Sequence, residues 1–355
     1  MCALLVLTQR WHGKHSLDHD LAGAQKVHQA PVPRVGGLGL IVGLSIGAAV
    51  SFVLGGKTYP LVIQLLLCAA PCFGAGFMED LTKSVSVRAR LHASFISAAL
   101  AAWVLQAHLT RLDTPLVDGW MAIAPVSVLF TCFAVGGMTN AINIIDGLNG
   151  LAAGSVALML AGLAAIAWQV GDVTVMKLCL WGIAALIGFL LLNFPFGRIF
   201  LGDGGAYLAG FWLAECGVLL LIRNPEVSTW AVLLCCIYPV WETLFSIYRR
   251  HVVHRVSSGR PDMTHMHHLV YKHVTSQQLP PFSPMWLRHG FSSSVIWAVV
   301  ATCPILAVLT YRQTSLAMLA CLVFVAFYWV AYRSLHSAEP EATRRSDSVV
   351  QAERT

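Results

Sequence analysis

Five short stretches carry the residues best suited to chemistry. The least ordinary is NAINIIDGLNGL, where Asn140, Asn143, Asp146 and Asn149 recur every three residues among hydrophobic neighbours. On a helix that spacing makes one continuous polar face, and a merely solvated turn has no need of amides so regularly placed. NFPFGRIFLGDGGAYLAG sets Asp203 between Gly202 and the pair Gly204–Gly205 at the N-terminal end of an apolar helix, with Phe200 nearby. Such a terminus suits a phosphate or a metal–phosphate complex; a plain N-cap is the alternative use of the same aspartate. In GFMEDLTKSVSVRARL, Glu79 and Asp80 point to different sides of a helix, so only one faces any given site. Asp80 shares a face with Lys83 at i, i+3, Arg88 and Arg90 follow, and the ordinary use of such a segment is a solvated, salt-bridged turn. QKVHQAPVPRVGGL joins Lys26, His28 and Arg34 to Pro31 and Pro33, which stop a helix, and to Gly36–Gly37, which let backbone or phosphate come close. A basic juxtamembrane linker explains those charges but not the ordered prolines and glycines. Last, DMTHMHHLVYKH gathers Asp262, His265, His267 and His268. Zinc sites built by histidine usually show i, i+4 spacing or Cys partners. These histidines do not share a helical face, so an extended loop donating to anionic oxygens is the preferred reading.

Acids at helix ends, basic residues and histidines around them, and glycine-lined approaches together describe a site for a phosphorylated, water-soluble substrate carrying Mg²⁺, with Mn²⁺ as the alternative ion. Mg²⁺ takes one or two carboxylates and completes its shell with phosphate and water. The second reactant is expected from the lipid, because a membrane enzyme without a soluble domain gains little unless one reactant is embedded.

The elements that must position these residues are membrane helices. Of 355 residues, 57% are hydrophobic and 11% charged, against roughly 45–50% and about 25% in soluble domains. Ten apolar stretches, 36–56, 60–78, 91–108, 121–138, 150–170, 175–193, 204–222, 229–248, 291–312 and 315–333, are each long enough to cross a core of about 30 Å. The expected fold is an all-α polytopic bundle of about ten transmembrane helices, preceded by a short N-terminal stub at MCALLVLTQRW. Residues 1–335 read as one integral-membrane catalytic domain and 336–355 as a polar, disordered tail. A soluble globular enzyme, a disordered chain and a β-barrel are excluded. Nine of the ten cysteines lie inside apolar stretches with no CxxC pair, as small core residues do.

Alternating the spans puts eighteen of the 23 Lys and Arg on one side, leaving Lys57, Arg111, Lys177, Arg223 and Arg312 opposite. The first side is therefore cytoplasmic, and the formal charge of +6 reflects orientation, with no nucleic acid required. Transporters and channels carry working charges near the midplane, whereas here the polar clusters sit at span ends on one side. Only Glu215 and Glu242 fall inside spans, where they read as carboxyls facing the protein interior or the interface.

The ordered motifs KVHQAPVPRVGGL, GFMEDLTK, NAINIIDGLNGL, FGRIFLGDGGAYLAG and HMHH, from about residue 25 to 335, resemble the polyprenyl-phosphate N-acetylhexosamine-1-phosphate transferases. The resemblance implies a bundle of about ten or eleven helices in the bacterial inner membrane with a cytoplasmic active site. It implies Mg²⁺-dependent transfer of a sugar 1-phosphate from a UDP-sugar to undecaprenyl phosphate, with release of UMP. Carried over, Asp203 is the metal ligand, and Asp146 and Asn149 belong with the nucleotide and metal, with Asn140 and Asn143 supplying amides. Asp80 would face the lipid phosphate, chiefly as an orienting group, and Lys83 would stabilise phosphate oxygens. Lys26, His28 and Arg34 join the substrate-binding set, Phe200 stacks near uracil, and His265, His267 and His268 surround the pyrophosphate and sugar. Glu79 stands where the family usually has Asp, and Asn149 where many members have Asp, which favours hydrogen bonding over metal ligation there. The HMHH and EDLTK variants resemble the branch that initiates O-antigen or teichoic-type glycans, with UDP-GlcNAc, UDP-FucNAc or UDP-QuiNAc as donor. A phospho-MurNAc-pentapeptide transferase, a lipid-phosphate flippase and a scaffold of a glycan-assembly complex are the alternatives, and a homodimer is the assembly left open.

Overall fold

The computed structural model describes residues 1–17, 31–253 and 264–337. Lys26, His28 and Asp262 lie outside the described residues, as does the tail beyond Ser337. Among the described residues the only β pairing is an isolated bridge between Leu17 and Pro33. The helices are α1 (Cys2–Leu7), α2 (Gln9–Ser16), α3 (Gly36–Val53), α4 (Tyr59–Thr82), α5 (Val87–Val104), α6 (Pro115–Met121), α7 (Ala124–Ile145), α8 (Leu151–Gln169), α9 (Val173–Asn193), α10 (Gly202–Arg223), α11 (Thr229–Cys235), α12 (Ile237–Tyr248), α13 (Met266–Leu269), α14 (Thr275–Gln278), α15 (Met285–Thr310) and α16 (Thr314–Ser337). The short α1 and α2 are the expected stub.

Eight of these helices are long and apolar enough to cross a membrane, and α11–α12, bent by 79°, counts as a ninth. The tenth expected span is α5, an 18-residue helix whose first turns carry Arg88, Arg90 and His92 and which falls short in apolar character. Trp103, Trp120 and Trp168 are exposed near the ends of α5, α6 and α8 away from the motifs, where aromatic side chains mark a bilayer interface.

The bundle is built around α10. Apolar on every side, it is buried from Gly202 to Leu213 and again through most residues to Leu221, as a helix without an amphipathic stripe must be. It packs against α3, α4, α7, α8 and α9. Its first turn meets α3 and α4 backbone to backbone. A Cβ on Gly37 would fall 2.6 Å from the Gly205 nitrogen, and one on Gly76 would fall 2.6 Å from the Gly204 nitrogen. Small residues permit that approach where apolar side chains give no hydrophobic drive between helices in lipid. The polar ends of α3, α4 and α10 are thus drawn to one place.

Candidate active site

Asp80, in the last turn of α4, is only 4% exposed. Its Oδ1 accepts from the Asp203 backbone N–H at 2.9 Å and its Oδ2 from that of Gly204 at 3.0 Å. Those two N–H groups belong to the first turn of α10, where no intrahelical acceptor exists, so the carboxylate both satisfies them and complements the positive end of the helix dipole. Gly202, at φ +75°, makes the turn that brings them into line.

Asp203 itself faces the other way. Its Oδ1 accepts from Arg34 Nη2 at 3.1 Å and Asn143 Nδ2 at 3.2 Å, and its Oδ2 pairs with Arg90. Arg34 also places its Nε 3.5 Å from Asp80 Oδ1. The loop carrying Arg34 is laid along the segment before α10, with Phe200 N–H donating to Pro33 O at 2.8 Å and Gly36 N–H donating to Phe200 O at 3.0 Å. The segment before α3, the first turn of α5 and the end of α7 therefore meet around one carboxylate at the start of α10.

The regular Asn/Asp face does not form as a single helix. Helix α7 stops at Ile145, so Asn140 and Asn143 lie on the helix, while Asp146 and Asn149 lie in the turn that follows it. Glycines at 147 and 150 favour the turn over helix continuation, and Gly150 has φ +79°. Asn140 donates to Gly136 O at 2.7 Å. Asn149, buried, donates through Nδ2 to Pro195 O at 2.8 Å and pins the α9–α10 loop. Asp146 accepts no hydrogen bond from the described residues. Burial pushes its carboxyl up to about 7 against the pull of Arg34.

HMHH is also not an extended loop. His265 precedes the single turn α13, and the three rings cluster, with centroids 4.2 Å apart for His267 and His268 and 5.6 Å for His265 and His267. His265 Nδ1 lies 2.9 Å from Glu242 Oε1. The same oxygen accepts the Met266 N–H at 3.2 Å, and Oε2 accepts the Tyr328 hydroxyl at 2.7 Å. His267 rests against Gly147, directly after Asp146. Burial, together with His268 and His265, holds the His267 pKa well below its ordinary value.

These groups open onto one cavity of about 1870 Å³. Arg34, Arg90, Asn140, Asn143, Asp146, Asn149, Phe200, Asp203, His265, His267 and His268 line its polar end, joined by Arg250 and His251. From there it runs between α7, α10, α11 and α12 past Phe130, Phe133, Val218 and Leu244 to Leu112 and Trp230 near the opposite face. Asp80 and Lys83 do not line it. Asp80 is turned onto α10, and Lys83, exposed, is the left-handed C-cap of α4 at φ +56°. Glu79, the longer acid of the pair, accepts the Val85 N–H through Oε2 at 2.8 Å and closes the α4–α5 turn.

Asp146 and Asp203 are hard oxygen donors on one cavity, and Asp146 has no competing donor among the described residues. Mg²⁺ sites of this kind use one or two carboxylates with phosphate and water completing the shell. Among the described residues no group of three or more His, Cys, Asp or Glu side chains converges into a full cage. Asp146 is thus the carboxylate open to an ion shared with a phosphorylated substrate, while Asp203 would have to exchange its contacts with Arg34, Asn143 or Arg90 to join it.

Two site residues escaped the sequence reading. Arg90 stands in a recognised motif as a flanking basic residue, with no site role expected of it. Glu242 was legible as one of two acids inside spans, yet its part in holding His265 depends on a contact with a segment 23 residues further on.

Residues 62–221 match the sequence profile of glycosyl transferase family 4. The chain is 31% identical over 287 residues, 80% of its length and 78% of the relative's, to a probable undecaprenyl-phosphate N-acetylglucosaminyl 1-phosphate transferase of Bacillus subtilis. It is 28% identical to undecaprenyl-phosphate alpha-N-acetylglucosaminyl 1-phosphate transferases of Salmonella typhi, over 264 residues, and Escherichia coli K12, over 269. Each of those two alignments covers 71% of this chain and 69% of the relative.

Proposed function

The chain belongs to the polyprenyl-phosphate N-acetylhexosamine-1-phosphate transferase family, and from that premise we propose that it transfers an N-acetylhexosamine 1-phosphate from a UDP-sugar to undecaprenyl phosphate, releasing UMP. The observation that carries this reading is the cavity: one end is lined by carboxylates, amides, guanidinia and imidazoles, and the rest by apolar side chains across most of the bundle. A charged nucleotide sugar and a phosphate on a long hydrocarbon fit the same space from its two ends. A flippase for lipid phosphates accounts for the apolar part but gives no use to the clustered amides and histidines.

A phosphate monoester has a second pKa near 6, so at pH 7 the acceptor is largely a dianion and needs little help from a general base. One of its oxygens attacks the phosphorus bearing the sugar. That phosphorus keeps the sugar, its bond to the UMP oxygen breaks, and UMP leaves. Arg34 and Arg90 supply positive charge beside the reacting phosphates, Asn140 and Asn143 donate to their oxygens, and Phe200 offers an aromatic face to the base. Asp80 holds the first turn of α10 and so fixes Asp203. Mg²⁺ held by Asp146 and Asp203 would neutralise charge developing on the pyrophosphate. The donor proposed first is UDP-GlcNAc, with UDP-FucNAc and UDP-QuiNAc next, and the product would begin an O-antigen or other envelope polysaccharide. The site faces the cytoplasm of the inner membrane, where nucleotide sugars are made.

The test is UMP release from each UDP-sugar by the purified protein in mixed micelles, with and without undecaprenyl phosphate. Lipid-dependent UMP release supports the proposal. No release with any UDP-N-acetylhexosamine, alongside movement of lipid phosphate across vesicles, refutes it.

A further inference from the structure

Glu242 is fully buried in α12, within the bent α11–α12 pair, and does not line the cavity. A carboxylate there is costly unless every lone pair is used. Its two oxygens take three donors: the His265 ring, the Met266 backbone N–H and the Tyr328 hydroxyl. Two of the three belong to the segment that starts α13. The rings of His265 and His267 lie parallel, 3° between planes with centroids 5.6 Å apart. A carboxylate facing Nδ1 makes that nitrogen the donor and holds the ring about its Cβ–Cγ axis. Acid–imidazole pairs in which the acid never touches the substrate fix tautomer and orientation in this way.

We propose that Glu242 is a positioning residue for the transfer reaction, acting only through His265, whose tautomer and orientation toward the donor sugar-nucleotide it sets. The proposal rests on the transferase reading, with His265 at the donor.

Glu242→Gln is nearly isosteric and keeps an oxygen for Tyr328, but an amide N–H in place of the oxygen that His265 and Met266 share faces Nδ1, selects the opposite tautomer and takes the acceptor from the Met266 N–H. With His265 removed, the amide can turn its oxygen back to Met266. Losses of about 10- to 100-fold are usual when such a supporting partner is removed. The expected result is a fall of that size in kcat/KM for the UDP-sugar, with the apparent KM for undecaprenyl phosphate unchanged. The deciding measurement is a double-mutant cycle with His265→Ala. Glu242→Gln in the His265→Ala background is expected to cost less than twofold more, because the group it acts through is gone. Wild-type kinetics for Glu242→Gln, an equal loss toward both substrates, or a full additive loss in the His265→Ala background would each overturn the role. If Glu242→Gln does not fold, Glu242→Asp, which withdraws the carboxylate by one methylene and keeps its charge, enters the same cycle with the same criteria. Absence of UMP release by the wild-type protein would instead strike the transferase reading itself.

Discussion

Replacing Asp80 with Asn separates an aspartate that positions α10 from one that touches substrate. The native carboxylate accepts two backbone N–H groups at 2.9 and 3.0 Å, and both are charge-assisted bonds to groups with no other acceptor in the helix. Hydrogen bonds to a charged group contribute about 1.5–3 kcal/mol each, and a buried N–H left unpaired costs about 1–3 kcal/mol. Asparagine keeps one oxygen and turns an NH₂ toward the second N–H. The first turn of α10 is therefore expected to lose about 2–4 kcal/mol, all of it local. Felt in full at the transition state, at about 1.4 kcal/mol per factor of ten, that is a fall in kcat of roughly 30- to 700-fold. Hydrogen exchange on a peptide covering residues 202–206 reads the cause directly, since the Asp203 and Gly204 amides owe their protection to Asp80. Faster exchange there, together with reduced kcat, is the expected outcome. If Asp80→Asn were inactive while exchange over 202–206 stayed at the wild-type rate, the capping argument would fail and Asp80 would act on substrate.

Gly76→Ala places a methyl 2.6 Å from the Gly204 nitrogen and is expected to cost about 1–3 kcal/mol through overpacking, seen as a lower Tm; an unchanged Tm would show that α4 and α10 can separate freely. His267 has a folded-state pKa well below its ordinary value near 6.5. Below pH 6.5 the unfolded chain binds a proton that the native ring does not, so this contribution to stability declines as pH falls. Unfolding between pH 7.5 and 5.5 should show a shallower loss in His267→Asn than in wild type, and parallel curves would contradict the assignment. Chelation with EDTA should stop UMP release and added Mg²⁺ should restore it, with Asp146→Asn raising the Mg²⁺ needed for half-maximal rate; a metal-independent rate would remove Asp146 and Asp203 from that role.

Apolar length marked the helices well, because crossing a hydrocarbon layer fixes both composition and extent. It is least clear at α5, whose first turns carry Arg88 and Arg90, the latter paired with Asp203. The motif residues were legible as a group, and ten of those expected at the site do line one cavity. What each side chain does was less legible. The three-residue rhythm from Asn140 to Asn149 resembles a helical face, but Gly147 and Gly150 end the helix and turn Asn149 onto the Pro195 carbonyl. Asp80 and Asp203 look alike in sequence; only the approach of α4 to α10 shows that one carboxylate caps the helix and the other faces the cavity. The same holds for Glu79, whose extra methylene reaches Val85.

The clasp at the start of α10 also has a schedule. Asp80 and the two N–H groups it accepts are separated by 123 and 124 residues, and the ribosome adds about 5–20 residues each second. For roughly 6–25 s after Asp80 is made, its acceptors have no α10 to bind. Arg34, already synthesised and within 3.5 Å of Asp80 in the finished protein, is the one member of the clasp available from the beginning. It can serve as a provisional counter-charge while α4 is handed to the bilayer, and only the arrival of α10 converts that temporary pair into the bridge between Asp80 and Asp203. The order of synthesis thus matches the order in which the carboxylates can be neutralised.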